Sequence, residues 1–345
     1  MAEPPPVVSE VLRDYGAVVR EAVRAYLPPV EPRRYLYDLI ADYPGRGGKM
    51  MRPSLCIAVA RALGAPLDRL LIAAAASIEL LHNAMLVHDD IEDESDRRRG
   101  RPTLHNLWGV AMAINAGDAL AVTSLRPLLG AAAYTDPRLA LRILEETEHM
   151  ARESAEGQAL ELGWRADNVV TLEERDYFEM VLKKTCWLAT IHPIRMGALI
   201  AAAGHVDPAA FVRFGFFLGA AFQIQDDVLN LIGDEALYGK ESDGDLREGK
   251  RTLMIIRLLQ LATAAERDRL VTHLGAPLAA RRADDVAWIR ERMDHHGCIA
   301  YARQVAHAMA GAALAEYTRL FAPVPPSRDR AFLEGLITWV VERTS

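Results

Sequence analysis

Asp89 and Asp93 stand four residues apart in LVHDDIEDESDRRRGRPT (residues 86–103), at the end of an apolar run. On a helix this spacing puts both carboxylates on one face, one turn apart. They repel each other unless a cation lies between them. An oxygen-only donor set suits a hard divalent ion such as magnesium, which often bridges to substrate phosphates. Asp90 points roughly 100° away around the helix and fits a supporting group or a ligand of a second ion. Taken alone, the cluster could equally be a solvated helix end, although acidic groups there oppose the helix dipole.

A second segment, GAAFQIQDDVLNLIGD, repeats the pattern with Asp226 and Asp227, and Asn230 follows four residues after Asp226. Two acidic helix tips at corresponding positions have a simple joint use, which is to hold metal ions that neutralise a polyphosphate. Basic residues accompany both tips. Arg98 and Arg99 follow the first, and Lys240 and Lys250 follow the second in YGKESDGDLREGKRTL; Lys49 and Arg52 sit in GGKMMRP. Arginine offers phosphate a bidentate fork and lysine a point charge. Any one of these cations alone would read as surface charge.

The elements that must position these groups are helices. Apolar residues recur at three- and four-residue spacing through SEVLRDYGAVVREAVRAYL, PSLCIAVARAL, DRLLIAAAASIELLHNAMLVHDD and TLMIIRLLQLATAAERDRLVTHL. Strand-like alternation is nearly absent, and turn signals such as LGAPLD, YTDPR and AGHVDP separate the runs. The reading is one all-α domain over residues 9–345, a large helical bundle with a central cavity, preceded by a frayed tail at 1–8. The 345 residues are 51% hydrophobic, enough for a sizeable core, and the net charge of -7 argues against general affinity for nucleic acid. Cys56, Cys186 and Cys298 lack CxxC spacing and read as reduced thiols of a cytoplasmic protein. The acidic, proline-rich N-terminus does not resemble a signal peptide. Apolar runs such as LLIAAAASI stop short of the ~18 residues of a membrane span.

These motifs, in this order, resemble the trans-isoprenyl diphosphate synthase (polyprenyl synthetase) family, and within it the geranylgeranyl diphosphate synthases. GGKMMRP is similar to the family's GGKRxRP. IELLHNAMLVHDDIEDESDRRRGRPT is similar to DDxxDxxxxRRGxPT with an upstream histidine. GQALEL, KKT, AAFQIQDDVLN and YGKESDGDLREGKRTL are similar to GQxxD, KT, FQxxDDxxD and GK…SDxxEGKxTL. The resemblance implies head-to-tail condensation of isopentenyl diphosphate with an allylic diphosphate, with release of diphosphate. It implies that magnesium, about two or three ions, is held by Asp89, Asp93 and Asp226, with Asp90 and Asp227 assisting. Arg98, Lys184, Lys240 and Lys250 would grip the allylic diphosphate. Lys49, Arg52, His82 and Arg99 would form the isopentenyl diphosphate site, and Thr185 and Gln223 would border the developing carbocation. By itself His82 reads as a core histidine, but it lies about two turns before Asp89 on the same face. A homodimer is also implied.

Three positions depart from the family pattern. Met50 replaces an arginine, Glu161 replaces the aspartate of GQxxD, and Asn230 replaces the third aspartate of the second motif. Asn230 retains a carbonyl oxygen without the charge, so Asn230→Asp is expected to lower the magnesium needed for half-maximal rate. In this family, bulky residues just before the first motif cap the pocket for the growing tail. Ala84 leaves room there and flexible Met85 sets a looser limit, so the expected product is C20 or longer. A class I terpene cyclase shares the first motif, but DDVLNLIGD matches the (N/D)Dxx(S/T)xxxE pattern poorly. A non-catalytic regulatory subunit would have lost metal ligands that this chain keeps.

Overall fold

The computed structural model describes residues 4–232 and 243–343. Helix α1 (Pro6–Ala25) begins inside the stretch expected to fray. Pro6 occupies the first helical turn, where its fixed φ and missing N–H cost nothing. Val8 and Val11 are fully buried, so residues 6–8 belong to the fold and not to a tail. Next come α2 (Asp38–Gly45), α3 (Met51–Ala62) and α4 (Arg69–Glu92). The Asp68 carboxylate starts α4 by accepting a hydrogen bond from Leu71 N–H at 2.9 Å.

Helix α4 has 24 residues and is long and apolar enough to cross a membrane by length and composition. The sequence runs appeared too short because Ser77, Glu79, His82 and Asn83 interrupt them. In the structure 78% of the apolar window is buried inside the molecule, as expected of a core helix. A two-residue hairpin follows, β1 (Arg97–Arg98) and β2 (Arg101–Pro102), and it is the only sheet among the described residues.

Helices α5 (Leu104–Trp108), α6 (Val110–Thr123) and α7 (Arg126–Ala132) lead to α8 (Pro137–Ala166) and α9 (Glu174–Val181). Residues Leu182–Ile191 are wound as a π-helix and continue into α10 (His192–Ala201). Then come α11 (Val212–Ile232), the short α12 (Gly244–Glu248), α13 (Leu253–Leu261), α14 (Ala264–Gly275), α15 (Ala283–His295), α16 (Cys298–Phe321) and α17 (Arg328–Glu342). Helix α4 packs against α3, α6, α1 and α7, while α11 packs against α16 and the π segment. One hydrophobic core runs from Val8 to Val341.

Glycines set how closely the π segment is held. A Cβ on Gly157 of α8 would lie 2.1 Å from the backbone N of Lys184. A Cβ on Gly219 of α11 would lie 2.5 Å from Thr190 Oγ1. Only glycine permits such approaches.

Candidate active site

Asp89, Asp226 and Asp227 line one cavity of ≈ 1050 Å³ with Lys49, Arg52, Arg98, Arg99, Lys184 and Lys250, whereas Asp93 is buried beside it and is not part of its wall. Helix α4 lines it with Glu79, His82, Met85, Asp89 and Glu92, a face repeating every three to four residues. Helix α11 lines it with Phe222, Gln223, Asp226 and Asp227. The two aspartate-bearing tips therefore open on the same space.

Asp89, Asp93 and Asp226 are each held by a cation of the protein itself. Lys184 Nζ lies 3.6 Å from Asp89 and is also paired with Glu161, so the longer reach of Glu161 preserves this contact. Lys250 Nζ lies 2.9 Å from Asp93, and Arg165 Nη1 lies 2.6 Å from the same carboxylate. Arg343 Nη2 lies 2.6 Å from Asp226. Burial pushes the Asp93 carboxyl up, but Lys250 and Lys184 outweigh it and hold Asp93 well below the usual carboxylate range. Burial likewise opposes the Lys184 ammonium, yet Glu161 and Asp89 keep its pKa above that of an ordinary lysine.

Among the described residues no three His, Cys, Asp or Glu side chains form a ready ligand set. Magnesium does not require one, because it keeps waters and takes substrate phosphate oxygens alongside one or two carboxylates. Asp89, Asp93 and Asp226 supply oxygen donors of the right chemistry, and protein cations already fill the positive positions beside them. The donor set fits the ion.

Asp90 is placed differently from the expectation that it assists metal binding. It is fully buried, facing away from the cavity. Arg98 Nε donates to both its oxygens at 2.9 and 3.2 Å, and Tyr43 OH donates at 2.5 Å. The same Arg98 reaches Asp89 at 3.4 Å and lines the cavity, so Asp90 anchors a cation that faces the substrate space. Asp227 accepts from Tyr177 OH at 2.8 Å and from Gln223 Nε2 at 2.6 Å. Burial, with Asp245 nearby, pushes its carboxyl well above the usual range. Thr185 Oγ1 donates to Gln223 Oε1 at 2.8 Å, so the two residues expected to border a carbocation touch each other on the cavity wall.

Lys49, Arg52, His82 and Arg99 also line the cavity. Burial lowers Arg52 to about 10, and its Nε has no hydrogen-bond partner. Burial also pushes His82 down to about 4, leaving a neutral imidazole. Arg99, in a left-handed backbone conformation with φ 51°, donates to Gly47 C=O. Glu79 is buried between these cations and accepts from Asn83 Nδ2 at 2.9 Å. Burial raises the Glu79 carboxyl, but His82, Asn83 and Arg52 together hold it below the usual range. A carboxylate therefore lies buried beside Arg52 and His82.

Lys240 lies outside the described residues. Met85 lines the cavity, whereas Ala84 is packed in the core behind it. Sequence reasoning missed Glu79, Tyr43, Arg165, Tyr177 and Arg343. Arg343 had a signal in its place in VVERTS at the end of the sequence, a stretch that also resembles the family. The others are ordinary helix or turn residues whose roles depend on tertiary contacts.

Fold and site define a class: an α-helical protein whose two acidic helix tips open, among several cations, on one cavity. Comparison with known proteins gives the particular family. The polyprenyl synthetase family matches residues 33–293. A short chain isoprenyl diphosphate synthase of Methanothermobacter thermautotrophicus is 35% identical over 303 residues, covering 87% of this chain and 88% of that protein. The crystal structure of a geranylgeranyl pyrophosphate synthetase from Pyrococcus horikoshii superposes with a TM-score of 0.84 at 33% identity, covering 98% of each chain. A polyprenyl synthase from Caulobacter crescentus, complexed with calcium and isoprenyl diphosphate, superposes with a TM-score of 0.83 at 27% identity over 100% of both chains. The chain belongs to the polyprenyl synthetase family.

Proposed function

We propose that this chain is a trans-polyprenyl diphosphate synthase that condenses isopentenyl diphosphate with an allylic diphosphate and makes a C20 product, geranylgeranyl diphosphate. Prenyl transfer is the chemistry of its family, and its relatives include geranylgeranyl diphosphate synthases. The observation that carries the reading is a single cavity lined by the carboxylates Asp89 and Asp226 together with Arg98, Lys184 and Lys250 and with Lys49, Arg52, His82 and Arg99, enough positive charge for two diphosphates.

Magnesium, about two or three ions on Asp89, Asp93 and Asp226, would stabilise charge on the departing diphosphate. Arg98, Lys184 and Lys250 orient the allylic diphosphate, and they add positive charge where negative charge develops. Lys49, Arg52, His82 and Arg99 hold isopentenyl diphosphate beside it, which supplies proximity. Thr185 and Gln223 present oxygen dipoles to the allylic cation without the nucleophilicity to capture it. The apolar walls, including Met85, Leu162, Leu188 and Phe222, receive the tail and limit water.

We further propose a homodimer. Among the described residues, nine of the thirteen exposed large hydrophobic side chains lie between Leu107 and Leu141, with Val122 at 68% and Leu129 at 58% exposure. Such a patch on α5–α8 fits the same face of a second copy. A cytoplasmic setting accords with the three buried free thiols.

The test uses purified protein, magnesium, isopentenyl diphosphate and each short allylic primer in turn, with product length read by mass spectrometry. A C20 product that requires isopentenyl diphosphate is expected. Turnover of a long allylic diphosphate without isopentenyl diphosphate would instead indicate a cyclase, and absence of any turnover would overturn the catalytic reading.

A further inference from the structure

Asn230 departs from the family's second motif, and its surroundings give it a task other than metal binding. Its side chain is buried, 4% exposed, and does not line the cavity, although Asp226 and Asp227 do. Asn230 Oδ1 accepts a hydrogen bond from Asp245 N–H at 3.0 Å, and Asn230 C=O accepts from Asp243 N–H at 2.9 Å. These bonds fasten the start of α12 to the end of α11. Asp243 holds a left-handed φ of 61°, a conformation that costs a non-glycine residue and persists only when neighbours enforce it.

The far side of α12 is secured separately. Arg281 Nη1 donates to Arg247 C=O at 2.5 Å. Arg251 donates to Gly249 C=O and, through Nη2, to Asn168 Oδ1 at 2.7 Å. Lys250 leaves the segment between the two anchors. Its backbone N–H donates to Asp245 C=O at 2.9 Å, while its ammonium sits 2.9 Å from Asp93. One residue thus joins Asn230 to Lys250, because the Asp245 N–H donates to the first and the Asp245 C=O accepts from the second.

We propose that Asn230 is a positioning residue that acts through Asp245 to set Lys250 against Asp93 and the allylic diphosphate, and that it is not a metal ligand. The inference rests on the synthase reading. It also replaces the expectation that Asn230→Asp would tighten magnesium use: the only atom required is an amide or carboxylate oxygen, and asparagine and aspartate both provide one.

The experiment compares wild type, Asn230→Ala and Asn230→Asp in three measurements. They are amide hydrogen exchange over residues 243–250, binding of Mn²⁺ in the presence of inorganic diphosphate, and steady-state kinetics with each substrate varied. For Asn230→Ala, exchange at Asp245 and Lys250 rises about fivefold, the change one lost hydrogen bond implies. KM for the allylic diphosphate rises, KM for isopentenyl diphosphate holds, and Mn²⁺ affinity is unchanged. Asn230→Asp restores wild-type exchange and KM. The proposal is overturned if Mn²⁺ affinity falls about tenfold or more in the alanine variant while exchange stays at the wild-type rate. Should the alanine variant fail to fold, the aspartate variant decides alone: unchanged Mn²⁺ affinity and exchange support positioning, and about a tenfold tighter metal site overturns it. Failure of the synthase reading is visible separately, as wild type without turnover that depends on isopentenyl diphosphate.

Discussion

Ala84 and Met85 are neighbours in sequence but face different surroundings, and this decides how tail length is controlled. Met85 lines the cavity, whereas Ala84 is 1% exposed within the core. A phenylalanine at 84 would overpack the core and cost about 1–3 kcal/mol, visible as a lower midpoint in denaturant unfolding. Met85→Phe, by contrast, narrows the tail space and is expected to shorten the product from C20 to C15. A shortened product from Ala84→Phe with undiminished stability would contradict this assignment. The same pair shows what the sequence made legible at this scale. Charge types and their spacing pointed to Asp89, Asp226 and Lys250, and the family resemblance added Lys184; all four line the cavity. Which of two adjacent residues faces the tail depends on the rotation of α4 against α6, and residue types alone do not record that rotation. Asp90 is a second example: its charge suggested a ligand, yet Arg98 and Tyr43 claim it from other elements.

At the scale of elements, the π-helix Leu182–Ile191 carries Lys184 and Thr185 to the cavity wall. Wide helical turns of this kind occur often at functional sites. No periodicity announced it, because KKTCWLAT reads as an ordinary helix. Its neighbours' glycines gave an indirect sign: Gly157 belongs to the GQ pair of a family motif, and the structure shows why a side chain is excluded there. Gly157→Ala would drive a methyl group against the Lys184 backbone. Loss of about 1–3 kcal/mol of stability is expected, together with a fall in kcat of about tenfold or more as Lys184 and Thr185 shift. Thermal unfolding and single-turnover rates measure the two effects. A variant with normal kcat would show that the segment tolerates displacement. Helix α1 is the opposite case, since its period was plain while its start was misjudged: PPPVV looked like part of a loose end, yet Val8 docks into the core.

For the whole molecule, buried histidines tie stability to pH. His82 and His192 are both pushed down to about 4 by burial, whereas an unfolded histidine titrates near ~6.5. Between these values the unfolded chain takes up protons that the folded chain refuses. Stability contributed by the neutral imidazoles is therefore complete above about pH 6.5 and declines as pH falls toward about 4. Urea unfolding at a series of pH values is expected to show uptake of about one proton per histidine over that window, and His192→Gln, away from the cavity, should remove about half of it. An unaltered slope in that variant would show that other groups govern the acid response. The all-helical architecture was readable because apolar periodicity and close-packing alanines persist along nearly the whole chain. The pairing of Asp89, Asp93 and Asp226 with internal cations was not, since it joins residues far apart in sequence, such as Asp226 with Arg343. That pairing has a thermodynamic consequence. An incoming divalent ion must evict an ammonium or guanidinium group, and the evicted group is best satisfied by a polyanion arriving at the same time. Ion and pyrophosphate ester should each tighten the other's hold by an equal factor, so this enzyme's apparent appetite for magnesium is set by how much prenyl ester surrounds it.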